Sequence, residues 1–66
     1  MKPHKLLDAL KATYKLKNDA ALARALQWQA NVLSKIRAGQ LPVSAERILQ
    51  IHDATGWEIK RIKGLL

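Results

Sequence analysis

Apolar residues fall at three- and four-residue steps along most of this chain and alternate nowhere, which is the pattern of helices with one buried face. Leu6, Leu7, Leu10 and Tyr14 make such a stripe, with Lys5, Asp8, Lys11 and Lys15 falling mostly off it, and Pro3 stands where a first helical residue tolerates proline. The segment KLKND then supplies Asn18 and Asp19, both good N-cap types, ahead of an alanine-rich run. Gly39 followed by QLP stops that run, because glycine accepts the left-handed position past a helix end and Pro42 prevents immediate resumption. Ser44 caps the next helix, in which Ala45, Ile48, Leu49 and His52 form one stripe with Ile51 and Thr55 beside it, as far as Gly56. Trp57, Ile59, Ile62 and Leu66 give a last short apolar face among Glu58, Lys60, Arg61 and Lys63. The expected fold is all-α, one compact domain over residues 1–66 with four or five short helices and tight connections.

The stretch ALARALQWQANVLSKIRAG, Ala21 to Gly39, contains no proline and no internal glycine, yet one continuous helix does not suit it. At about 100° per residue, Leu22, Leu26, Leu33 and Ile36 would share a narrow stripe with Gln29 at its centre, and Trp28 would point roughly 120° away. That arrangement buries an amide and exposes an indole. A turn at Gln27 to Gln29 reverses it: Trp28 folds inward as a wedge and the glutamines stay at the surface. The stretch is therefore expected to be two helices of about eight residues with a turn of three or four between them, the dimensions of a helix-turn-helix. Ala23 is small where the helices would cross, Leu33 and Ile36 face inward, and Ala30, Asn31, Ser34 and Lys35 form an outward face without negative charge. A DNA major groove accepts such a face.

Composition narrows the functional classes. A chain of 66 residues holds one small core and no roomy ligand pocket, burying only ~60% of its unfolded surface. Twelve Lys and Arg against five Asp and Glu leave a net charge of +7, a bias toward a polyanionic partner or an anionic membrane surface, between which charge alone does not choose. Some of Lys2, Lys5, Lys11, Lys15 and Lys17 could serve that partner, and the rest keep the first helix solvated. There is no cysteine, and His4 and His52 have no metal-ligand spacing, so neither a disulfide framework nor a metal or other cofactor is expected. Asp8 and Lys11 interrupt any signal-peptide run, and the longest uncharged window, Ala25 to Ser34, falls short of the ~20 apolar residues of a membrane span. A soluble, cytoplasmic protein is expected, on the nucleoid when bound to DNA. Ser44, His52 and Asp53 do not make a catalytic triad, since the serine caps a helix and the other two, being adjacent, face different ways; no enzyme is expected.

The run LARALQWQANVLSKIRAGQ resembles the helix-turn-helix of the phage Cro and cI-type repressors, the Xre family, whose motif runs roughly L-A-x-x-L-G-V-S-x-x-x-I-S-x-I-x-x-G. Leu22, Ala23, Leu26, Leu33, Ser34, Ile36 and Gly39 match in register, and ATGWEIKRI resembles the family's closing turn and last helix. Three positions depart: Gln27 replaces the turn glycine, Trp28 the valine, and Gln29 the serine cap. The resemblance implies a lambda-repressor-like fold with its motif at about residues 19–38, and base reading by Gln29, Ala30, Asn31 and Lys35. The chemistry agrees, since Asn pairs bidentately with adenine, Lys donates to guanine acceptors, and the Ala methyl meets that of thymine. By the same resemblance Asn18, Ser34, Arg37 and Gln40 would grip phosphates, and Trp57, Ile59 and Ile62 would pair two subunits. Asp19 would repel a phosphate unless turned away or paired with a lysine such as Lys17. The expected function is a sequence-specific, Cro-like repressor binding double-stranded DNA as a homodimer on a near-palindromic operator, with no small-molecule ligand. The alternatives are a protein-interaction or antitoxin-like module and a non-specific nucleic-acid binder.

Overall fold

The computed structural model describes residues 4–66, and the expected role of Pro3 lies outside them. Among the described residues there are five helices and no strand: α1 (Lys5–Thr13), α2 (Asp19–Leu26), α3 (Ala30–Arg37), α4 (Ala45–Thr55) and α5 (Ile59–Gly64). Local chemistry fixes most of their starts. The Asn18 side chain accepts from the Ala21 N–H at 2.9 Å and the Ser44 hydroxyl accepts from the Arg47 N–H at 3.3 Å, each satisfying one orphan amide of a first turn. At α1 the cap is His4, whose Nδ1 accepts from the Leu7 N–H at 3.3 Å while the His4 backbone N–H donates to Asp8 Oδ2 at 3.1 Å. This reciprocal pair works as a capping box does, with an imidazole in place of the usual hydroxyl.

The ends are as local as the starts. Gly56 closes α4 at φ +75°, and Gly39 follows α3 at φ +79°. Lys15 and Gln27 adopt the same left-handed conformation after α1 and α2, at φ 53° and 60°, without glycine's freedom. Beyond α4, Thr55 Oγ1 donates to the Ile51 carbonyl at 2.7 Å and accepts from the Trp57 N–H at 3.0 Å, so the chain turns sharply into α5.

Leu6, Leu7 and Leu10 of α1, Leu22 and Ala23 of α2, Leu33 and Ile36 of α3, Ile48 and Ile51 of α4, and Ile62 of α5 make one continuous core. Trp28 and Trp57, the first residues after two of the left-handed turns, plug it. The α2 helix is central and packs on α1, α3 and α4, while α5 packs on α4. The Cα radius of gyration is 10.7 Å, matching the ~11 Å of a close-packed chain this long. No helix of the described residues is long and apolar enough to cross a membrane.

Two expected stripes turn differently in the structure. On α4, Ile48 and Ile51 are buried with Thr55 beside them, whereas Ala45 and Leu49 look outward. Two adjacent stripes were compatible with the helical period, and the partner helices α2 and α5 select the one that faces them. Tyr14 lies past the end of α1 and is exposed. The expectation of no roomy pocket meets one surface cleft of about 380 Å³, lined by Ala25, Leu26 and Gln27 of the α2 end and by Gln50, Asp53 and Ala54 of α4.

Candidate nucleic-acid interface

The corner between α2 and α3 occupies Gln27 to Gln29. Gln27 takes the left-handed conformation, and the Trp28 N–H reaches back to the Ala23 carbonyl at 2.8 Å, closing α2 without glycine. That bond turns the Trp28 indole inward, where it is 8% exposed. Its Nε1–H donates to Gln50 Oε1 at 2.7 Å, and the Arg47 guanidinium lies 4.9 Å from the ring centroid. Both partners sit on α4, one turn apart, so α4 holds the corner by an indole hydrogen bond and a cation–π contact. Gln29 is the N-cap of α3 and, as expected of a poor cap, makes no side-chain bond to the helix amides.

Leu33 and Ile36 anchor α3 from beneath, and Ala30, Asn31, Ser34 and Lys35 are all exposed on its other side together with Gln29. The four positions expected from the sequence to read bases, Gln29, Ala30, Asn31 and Lys35, are thus all accessible. The helix carries no acidic residue. Among the positions expected to grip phosphates, Ser34 and Gln40 are exposed, and Asn18 is exposed at the start of α2 while its Oδ1 serves the cap.

Arg37 is a correction. It lies four residues after Leu33, on the inward side of α3, and only 7% of it is exposed. Its Nε and terminal nitrogen donate to both carboxylate oxygens of Asp19, at 2.7 and 2.9 Å, and the terminal nitrogen also reaches Asp8 at 3.0 Å. Lys11 approaches the same Asp19 carboxylate at 3.2 Å. Arg37 is thus the link among α1, α2 and α3 and does not present its charge to a phosphate. Asp19, expected to be turned away or paired with a lysine such as Lys17, is paired in this network with Arg37 and Lys11. Five-donor guanidinium geometry explains why an arginine occupies this position, since a lysine could not answer two carboxylates bidentately.

The titration of these groups follows from their partners. The Asp19 bond holds the Arg37 guanidinium above its ordinary value against burial. Burial pushes the Asp19 carboxyl up, but hydrogen bonds and charge from Arg37 and Lys11 together outweigh it and hold the group below the usual carboxylate range. Asp8 is also held low, first by the His4 N–H and then by Arg37. His4 lies below its ordinary value because burial, then Arg37, disfavour its charged form over the opposing pull of Asp8.

The expected subunit interface is a second correction. Ile62 has no exposed surface and Trp57 is 8% exposed under the Arg61 guanidinium, 4.1 Å from its ring centroid; both are core, and Ile59 is half-buried. The sequence places all three on one apolar face but does not say that α4 already covers it. His52 Nδ1 donates to the Trp57 carbonyl at 2.6 Å and so pins this turn, at the far end of α4 from the Ser44 cap. Compared with protein-family models, with curated proteins and with solved structures, the chain finds no match.

Proposed function

We propose that residues 19–38 form a helix-turn-helix in a lambda-repressor-like domain, and that the protein binds double-stranded DNA sequence-specifically as a transcriptional regulator of the Cro type. The observation that carries this reading is the exposure of Gln29, Ala30, Asn31, Ser34 and Lys35 at α3, a set that bears no acid, next to a corner closed by the Trp28–Gln50 hydrogen bond. An α-helix fits the B-DNA major groove, where Asn31 suits an adenine and Lys35 a guanine. At the start of α2, Asn18 and the neighbouring Lys17 are both exposed, and Arg37 and Lys11 offset the charge of Asp19, so a phosphate can approach. One such helix reads few base pairs, and two copies with helices ~34 Å apart on one DNA face multiply the discrimination.

Binding measured against a panel of single-base operator variants tests this. Asn31→Ala costs about 1–3 kcal/mol and relaxes base preference at one position, whereas Lys17→Ala weakens binding to all sequences alike and lowers the salt slope by about one. If Asn31→Ala leaves the preference intact, the recognition assignment is wrong.

A further inference from the structure

Two hollows meet at the C-terminal end of α2. The cleft of about 380 Å³ between α2 and α4 adjoins a smaller one of about 150 Å³, and Ala25, Leu26 and Ala54 line both. Leu10 of α1, Tyr14 just past its end, Leu16 of the following connection and Leu22 of α2 give the smaller hollow mainly apolar walls. Tyr14 is 45% exposed at its rim. A hollow of this volume accommodates a benzene-sized group. The larger cleft supplies the polar end: Gln27, Gln50 and Asp53 line it, and no lysine, arginine or histidine does.

In a chain of net charge +7, a concave site whose one charged group is a carboxylate stands apart. Asp8 and Asp19 are taken up by Arg37 and Lys11, whereas Asp53 is exposed and has no ion pair or hydrogen bond among the described residues. Nor does Asp53 serve its own helix, since it lies in the last turn of α4, where the helix dipole disfavours negative charge. Phosphates and carboxylates would be repelled there. An ammonium group would gain a charge-assisted hydrogen bond from Asp53, and the side-chain carbonyls of the glutamines can accept its other N–H bonds. We propose that the joined trough binds a small primary amine carrying one aromatic ring, with the ammonium on Asp53 and the ring in the hollow among Leu10, Tyr14, Leu16 and Leu22. This departs from the sequence expectation of no small-molecule ligand, which rested on the size of the core; the trough lies between helices at the surface. Gln50 also accepts from the Trp28 indole, and Gln27 is the left-handed residue of the same corner, so an occupant meets both and the Trp28 indole resonance reports it. The proposal is independent of the DNA-binding reading, because it concerns the free chain and is measured without DNA.

Titration of the full chain with phenethylamine at about pH 7, where the amine is protonated, followed by amide and indole NMR shifts, tests this. One saturable site with a dissociation constant of about 1 mM or below is expected, with shifts centred on residues 25–27 and 53–55 and on the Trp28 indole. Asp53→Asn keeps the shape, removes the charge and weakens binding about tenfold. Tyr14→Ser, at the rim, weakens it several-fold, and both variants keep the helical circular dichroism of the parent. Phenethyl alcohol, which lacks the charge, binds about tenfold more weakly. Butylamine, which lacks the ring and stands for the lysine side chain of a protein partner, is weaker to a similar degree. Shifts that stay linear to on the order of 20 mM, saturation at another part of the surface, affinity indifferent to Asp53→Asn or to Tyr14→Ser, or equal binding of either comparison compound would each overturn the proposal.

Discussion

An arginine with 7% of its surface exposed must have its charge answered inside the protein, and Arg37 has Asp19 and Asp8 to do so. Removing one partner leaves a buried charge poorly paired. Asp19→Ala is expected to cost about 2 kcal/mol, below the range for fully enclosed pairs because Asp8 and some solvent remain, and to lower Tm by roughly 10 °C. A thermal melt checks it; a drop of only a degree or two would mean that Arg37 is not held as described. The same cluster sets an acid limit. His4 titrates below its ordinary 6.5, so between the two values the unfolded chain binds more protons; that stabilisation is full above 6.5 and lost as pH falls through the lower folded value. Asp8 and Asp19 follow the same sign below their ordinary 3.8, being stabilising above it and losing this as pH falls through their lower folded values. Tm is therefore level above about pH 7 and falls in two steps, and His4→Asn, which keeps a capping acceptor but does not titrate, removes the first. A Tm unchanged from pH 7 to pH 5 in the parent chain would contradict the His4 assignment. The place of Arg37 was misread, because the expected phosphate role passed over its four-residue spacing from Leu33, which runs along the inward side of α3; that two acids from α1 and α2 would meet it is a tertiary fact that no local pattern records.

At the scale of the element, the α2–α3 corner was readable because Gln29 and Trp28 conflict with a continuous helix, and the structure turns where that conflict lies. How the turn closes without glycine was not readable. Gln27 takes the left-handed conformation and Trp28 is fastened by Gln50 and Arg47, twenty-two and nineteen residues away along the chain. Gln27→Gly should relieve the left-handed strain and raise stability by about 0.5 kcal/mol, after the greater entropy of the unfolded glycine is deducted. Trp28→Phe should lose about 1 kcal/mol through the missing indole N–H bond, and Trp28→Ala about 3 kcal/mol through the cavity as well. Urea titrations of the three variants check the order, and a neutral Trp28→Phe would show that Gln50 does not hold the corner. The α4 stripe was misplaced for a simpler reason: Ala45–Leu49 and Ile48–Ile51 are adjacent lines on one helix, and only the position of α2 and α5 decides between them.

For the whole molecule, an all-helical chain, the Asn18 and Ser44 caps and the inward Leu6, Leu7, Leu10, Leu22 and Leu33 could be read from the sequence because each rests on a spacing or a local hydrogen bond, whereas the His4 cap of α1 was missed. Which apolar residues remained for a partner depended on how α5 folds over α4, so Trp57 and Ile62 passed into the core while Leu49 stayed outside. The resulting molecule carries its exposed positive charge mainly on residues 1–43 and an apolar groove between α4 and α5. The DNA-binding function proposed above needs the basic part uncovered, because it must meet phosphates. The measurement that tests this most directly is selection of bound fragments from a random duplex pool at moderate salt, followed by sequencing of the enriched fraction. A dimeric, sequence-specific binder enriches an inverted repeat with half-site centres ~10 bp apart. Enrichment of no sequence, with binding that vanishes as salt rises, would contradict that reading and leave only a basic surface.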